Sequence, residues 1–124
     1  MNWPYIAGFT DGEGYVLNKI YTTYEYSKNN SKWYNATRLR RRIVLTQSNK
    51  QNMVLYKIAE FLNRELDTDI KIYDRKDGNS QLVISRSFDT LRVARAIIPY
   101  SIVKYRVLHE LISTYENPEL LEKK

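Results

Sequence analysis

The chain has 124 residues, no cysteine, and a net charge of +6 from 20 Lys and Arg against 14 Asp and Glu. The length suits one domain with its own core, and the lack of cysteine excludes a disulfide framework or a thiolate metal centre. No apolar run reaches membrane-spanning length and the first residues carry no secretory pattern, so an intracellular protein is expected, its compartment open.

The charge is uneven. Residues 1–50 hold eight Lys and Arg against three acids, and residues 51–124 hold twelve against eleven. A basic first half is the footprint expected of a nucleic-acid binder.

Taken in chain order, residues 4–13 are predicted as a short apolar helix with small residues, Ala7 and Gly8, along one face. Another helix could approach that face closely. Gly12 and Gly14 lie where the helix should stop, because glycine takes the left-handed cap conformation at little cost. Trp3 and Pro4 mark the helix start. Tyr15 to Tyr26 is rich in Tyr, Thr, Val and Ile and predicts a strand. Ser27 to Lys32 is a polar tip, and Trp33 to Gln47 returns as a second strand. Ser48-Asn49 offers an N-cap for a helix from Lys50 to Leu66, where Val54, Leu55, Ile58, Ala59, Leu62 and Leu66 recur at helical spacing. Asp67-Thr68 breaks it. Ile70 to Arg75 and Gln81 to Arg86 form a shorter hairpin turned by Asp77-Gly78-Asn79. Asp89 is expected to cap a helix through Ile98 that Pro99 ends, and a last helix spans Val103 to Tyr115. Residues 117–124 are charged and terminal, so fraying is expected there.

Strand periodicity then sorts the faces. Leu39, Ile43 and Leu45 are expected on the core side, with Val16 and Ile20 of the first strand. The other face gathers Leu17, Lys19, Tyr21, Thr23, Glu25, Arg38, Arg40, Arg42 and Thr46. The second hairpin adds Lys71, Tyr73, Arg75, Gln81 and Val83. Such a face can contact phosphates and base edges of duplex DNA together, since ribbons fit the major groove and Arg reads guanine bidentately. A solvated sheet surface is the plainer account, and stacking of single-stranded RNA on some of the eleven tyrosines is another. Arg41 has core-side parity and is expected to snorkel outward or pair with an acid. His109, the only histidine, reads as a helix-surface residue rather than a ligand.

Glu13 is the anomaly. It falls at a helix C-terminus, beside unpaired carbonyls and the negative end of the dipole, where a carboxylate is unfavourable unless a cation joins it. Ile6 to Gly14 resembles the signature of the LAGLIDADG homing endonucleases nearly position for position. Ile6-Ala7-Gly8-Phe9 stand for its first four letters and Asp11-Gly12-Glu13-Gly14 for its last four, with Glu where Asp is more usual. The resemblance implies an α+β domain over residues 1–124, ordered αββαββαα, with a four-stranded antiparallel saddle-shaped sheet backed by helices. It implies a homodimer joined through Ile6, Ala7, Gly8, Phe9 and Asp11, though hydrogen bonding serves Asp11 equally well. Two copies of Glu13, with the Gly12 carbonyls, would then meet as an all-oxygen site suited to Mg²⁺, with Mn²⁺ a plausible substitute.

The resemblance also implies Gln47 as a water-positioning residue and Lys104 as a residue near the scissile phosphate. The activity it implies is metal-dependent, sequence-specific cleavage of double-stranded DNA at a long pseudo-palindromic site, leaving staggered ends, from a gene inside a mobile intron. Two alternatives stay open: an intron maturase that binds RNA, and a DNA-binding regulator without turnover.

Overall fold

The computed structural model describes residues 1–117; the expected fraying lies outside the described residues except at Asn117. Helix α1 (Trp3–Glu13) is followed by strands β1 (Gly14–Ser27) and β2 (Lys32–Ser48), then by helix α2 (Met53–Leu66). Strands β3 (Ile72–Asp74) and β4 (Asn79–Ile84) come next, and helices α3 (Ser87–Ile97) and α4 (Tyr105–Glu116) complete the order αββαββαα. All strands pair antiparallel in the order β1-β2-β4-β3.

β2 is the spine of the sheet. Lys32 to Leu45 pair with β1, Ile43 to Ser48 pair with β4, and only Ile43 to Leu45 pair with both. Over that inner half the helix-side residues Ile43, Leu45, Leu82 and Ile84 are buried, and Leu55, Ile58 and Leu62 of α2 join them in one core with Val93, Ile97, Leu108 and Leu111. The α2 side chains recur at three-and-four spacing, as expected of a helix with one apolar face.

Helix α4 reaches the near end of the outer half at Asn18 and Arg41, and beyond them the hairpin continues as a two-stranded ribbon. Leu39, expected in the core, is therefore 41% exposed; its parity is right but no layer reaches it. Tyr24 stacks on Trp33 at 5.2 Å, and Tyr26 meets the same indole at 5.4 Å. Such cross-strand aromatic contacts stabilise a ribbon that lacks a core. Ser31 takes a positive φ in the turn at its tip.

Several element ends differ from expectation. Ser48 does cap, but it caps a 3₁₀ turn (Asn49–Gln51) by accepting from Lys50 N–H, and α2 starts at Met53. Asp67 ends α2 in the left-handed conformation. Asp89 is not the cap of α3: Arg86 holds that position, and Asp89 lies in the first turn with its carboxylate 2.9 Å from Arg92. The Arg41 guanidinium lies 3.8 Å from the centre of the Tyr115 ring, a cation–π contact for a charge whose strand parity turns it toward the helices.

Gly14 corrects the expected helix stop. It is the C-cap of α1, yet its φ of −100° and ψ of 163° are open to any residue. What requires glycine is space. A Cβ there would lie 2.6 Å from the Thr10 carbonyl oxygen and 2.8 Å from Thr10 Cα and Cγ2. The chain leaves the helix directly into β1, pressed against the preceding turn.

Candidate nucleic-acid interface and active site

Glu13 is the last residue of α1 and is exposed. Helix termination leaves carbonyls of the last turn without intrahelical partners; the Thr10 carbonyl is taken by Gly14 N–H. The Glu13 carboxylate and these carbonyls form an oxygen-only donor set at the negative helix end, the chemistry a hard divalent cation requires. Among the described residues no three His, Cys, Asp or Glu side chains converge to hold a metal within one copy.

Asp11 has a different task. Its Oδ2 accepts from Ile102 N–H at 2.8 Å and its Oδ1 from Lys104 N–H at 3.0 Å. Burial, the largest single influence, pushes its carboxyl upward. The backbone N–H groups of Ile102, Lys104 and Val103, together with the Lys104 ammonium, outweigh it and leave Asp11 below its ordinary value. Lys104 is the N-cap of α4 and is half-buried. Helix α4 begins at Tyr105, not at Val103, and two N–H groups at its entrance serve Asp11.

Gln47 lies two residues beyond the Gly14–Leu45 pair, near the end of β2, and its Oε1 accepts from Ser48 N–H at 3.0 Å. Thus α1 ends, β2 ends and α4 starts at the same side of the sheet. The small-residue face of α1 needs correction, however. Ile6 and Ala7 are 1% and 0% exposed and belong to the subunit's own core, so they do not face a second copy. Phe9 also packs against that core. The outward face carries Pro4, Tyr5, Gly8 and Gly12, and a Cβ added at Gly8 or Gly12 would meet nothing within 4 Å.

On the sheet, cross-strand pairing brings Leu17 opposite Arg42, Lys19 opposite Arg40, Tyr21 opposite Arg38 and Glu25 opposite Tyr34. Thr23 stands opposite Ala36. Thr46 faces Gln81, and Gln81 in turn faces Tyr73; Val83 faces Val44. Opposite residues share a face, so this face lies away from Val16, Ile43 and Leu45. Tyr15, Tyr34 and Val44 belong to it as well, and strand alternation alone could have found them. Lys71 and Arg75 flank β3 at its two ends, 3.6 Å from Asp69 and 3.5 Å from Asp77.

The basic groups on this face are not equally free. Arg38 Nε donates to Glu25 Oε2 at 2.9 Å, its Nη2 donates to the other Glu25 oxygen, and Thr23 also donates to Glu25. Arg38, the largest cause, and Thr23 lower the Glu25 carboxyl to about 2. Arg40 lies 5.1 Å from the Tyr21 ring centre, and among the described residues no acid forms an ion pair with it.

A comparison with curated proteins found no match. Among solved structures, the homing endonuclease I-CvuI in complex with its target in the presence of calcium superimposes with a TM-score of 0.71 at 17% identity. That match covers 92% of this chain and 65% of I-CvuI, so the present chain spans just under two thirds of that relative. The homing endonuclease I-TnaI gives 0.66 at 16% identity, covering 98% of this chain and 78% of the other. The LAGLIDADG meganuclease I-CpaMI bound to uncleaved DNA gives 0.68 at 20% identity, with 98% of this chain but only 39% of the other covered. At such identities the structures share the fold. The sequence itself matches the LAGLIDADG endonuclease family model over residues 6–115. That span runs from the motif helix to the penultimate residue of α4, and the chain belongs to the LAGLIDADG endonuclease family.

Proposed function

We propose that the protein is a sequence-specific double-strand DNA endonuclease that acts as a homodimer with a divalent metal ion, Mg²⁺ by preference. The observation that carries this reading is Glu13: an exposed carboxylate at the negative end of α1, beside a sheet face of arginines. Among the described residues of one copy no three carboxylates converge on a metal centre, and two copies packed along the open Gly8 and Gly12 face of α1 would bring two Glu13 side chains together. Glu13 and the Gly12 carbonyl would hold the metal. When bound, the metal neutralises phosphate charge and makes water a better nucleophile. Gln47 orients that water by hydrogen bonding, and Lys104 presents a cation to the phosphate. Arg40 and Arg42 hold the duplex through base edges and phosphates, while Arg38 reaches it as part of its pair with Glu25. Each subunit would take one half of a long pseudo-palindromic site, and the cuts would be staggered.

A second reading, RNA binding in support of splicing, draws on the exposed Tyr24–Trp33 stack, which offers a platform for unpaired bases. Cleavage of a randomised duplex library with Mg²⁺, by this protein and its Glu13→Gln variant, tests the first reading. Ends clustered at one two-fold motif, absent with the variant although DNA binding survives, are expected. Equal cutting by the variant would remove Glu13 from the mechanism, and an absence of specific ends would favour the RNA reading.

A further inference from the structure

Asp11 stands two residues before Glu13, and both its carboxylate oxygens are committed elsewhere. They accept the N–H groups of Ile102 and Lys104, residues 91 and 93 positions away. On the preceding side, Ser101 is tied to the end of α3, its N–H donating to the Ile98 carbonyl at 3.2 Å and its hydroxyl to the Ile97 carbonyl at 3.0 Å. On the following side, the Lys104 carbonyl accepts from Leu108 N–H at 3.0 Å, within α4. The segment between has little apolar anchorage, because Ile102 and Val103 are 85% and 69% exposed. A segment that buries so little is held by its polar contacts, and Asp11 supplies two of them.

We propose that Asp11 is a positioning residue for Lys104: it ties the Lys104 backbone to the last turn of α1 and so sets the Lys104 ammonium relative to Glu13. The inference rests on the nuclease reading, in which Lys104 faces the phosphate. A carboxylate suits the task because it accepts two N–H groups at once, whereas an amide has a single acceptor oxygen. Asn at position 11 would keep one bond and turn its own N–H toward the other donor.

The test uses the full chain with Asp11→Asn, Lys104→Met and the double variant. Amide exchange at residues 102 and 104 should rise by roughly tenfold or more in Asp11→Asn, while Leu62 and Leu82 amides stay protected. Single-turnover cleavage at saturating protein should fall by roughly 10- to 100-fold with DNA affinity unchanged. The double variant should cut no more slowly than Lys104→Met alone, because Asp11 acts through that lysine. Unchanged exchange would overturn the clamp. Losses that multiply in the double variant would show that Asp11 works by another route. A wild-type protein that cuts no DNA would overturn the nuclease reading and the positioning role with it, while exchange would still decide the clamp. Should Asp11→Asn fail to fold, Ile102→Pro replaces it: this deletes one donor and leaves α1 intact, and Ser101 at φ −86°, ψ 139° already has the conformation that precedes proline.

Discussion

Gly14→Ala is the sharpest test of how the motif helix meets the sheet. The new Cβ would stand 2.6–2.8 Å from three atoms of Thr10, two of them backbone. Ordinary carbon contacts need roughly 3.5–4.0 Å, so the helix end and β1 must separate by close to 1 Å. Thr10 cannot retreat: it is 0% exposed, and its hydroxyl donates to the Ile6 carbonyl at 2.7 Å. Overpacking of this kind costs about 1–3 kcal/mol. Loss of the Gly14 N–H bond to the Thr10 carbonyl adds about 0.5–1.5 kcal/mol. Together they give about 2–4 kcal/mol, a large share of the roughly 5–15 kcal/mol that holds a domain folded. In urea, at a slope of about 2 kcal/mol per molar, the middle of the range for small domains, the midpoint should drop by about 1–2 M.

Gly8→Ala provides the contrast. A methyl there meets no atom of its own subunit, and helix propensity should raise subunit stability by about 0.5–1 kcal/mol. If a second α1 packs on that face, the same methyl weakens the dimer, and sedimentation would show it. A Gly14→Ala midpoint indistinguishable from wild type would refute the steric account. It would mean that the chain leaves the helix with room to spare.

Glu25 should remain ionised well below the usual carboxylate range. Its carboxyl is lowered from 4.5 to about 2, so its contribution to the ribbon is fully present above pH 4.5 and is lost only as pH falls through about 2. Carboxyl NMR should place the midpoint near 2 and return it toward 4.5 in Arg38→Ala; a wild-type midpoint near 4.5 would deny the Arg38 and Thr23 contacts in solution. Arg40→Ala should cost about 1–3 kcal/mol of discrimination at one symmetric pair of positions if it reads a base. Competition binding with single-position site variants measures this, and a loss uniform across sequences would make Arg40 a phosphate contact.

Much of the fold was legible because its signals are local. The helical spacing of Leu55, Ile58 and Leu62 and the alternation through Arg38, Arg40 and Arg42 each follow from a few neighbouring residues. Leu39 shows where such reasoning stops, since alternation gives a face but not whether a helix covers it. Ile6 and Ala7 show the same limit for a helix: small and apolar residues suit a neighbour in the same chain as well as one in another copy. Gly14 was chosen correctly as a boundary for the wrong reason, because a steric demand and a left-handed cap both select glycine. The Asp11 bonds to Ile102 and Lys104 and the Arg41–Tyr115 contact join distant parts of the chain, and nothing near either partner announces the other.

The unequal pairing of β2 has an evolutionary consequence. Residues 43–45 are locked between two strands and two of them, Ile43 and Leu45, are in the core, while residues 32–42 have β1 alone as a neighbour. Substitutions in the outer stretch, Arg38 and Arg40 included, alter surface chemistry without opening a cavity. One strand therefore combines an anchor constrained by packing with a segment free to diversify, and a lineage could change what the ribbon touches many times over while keeping the same architecture.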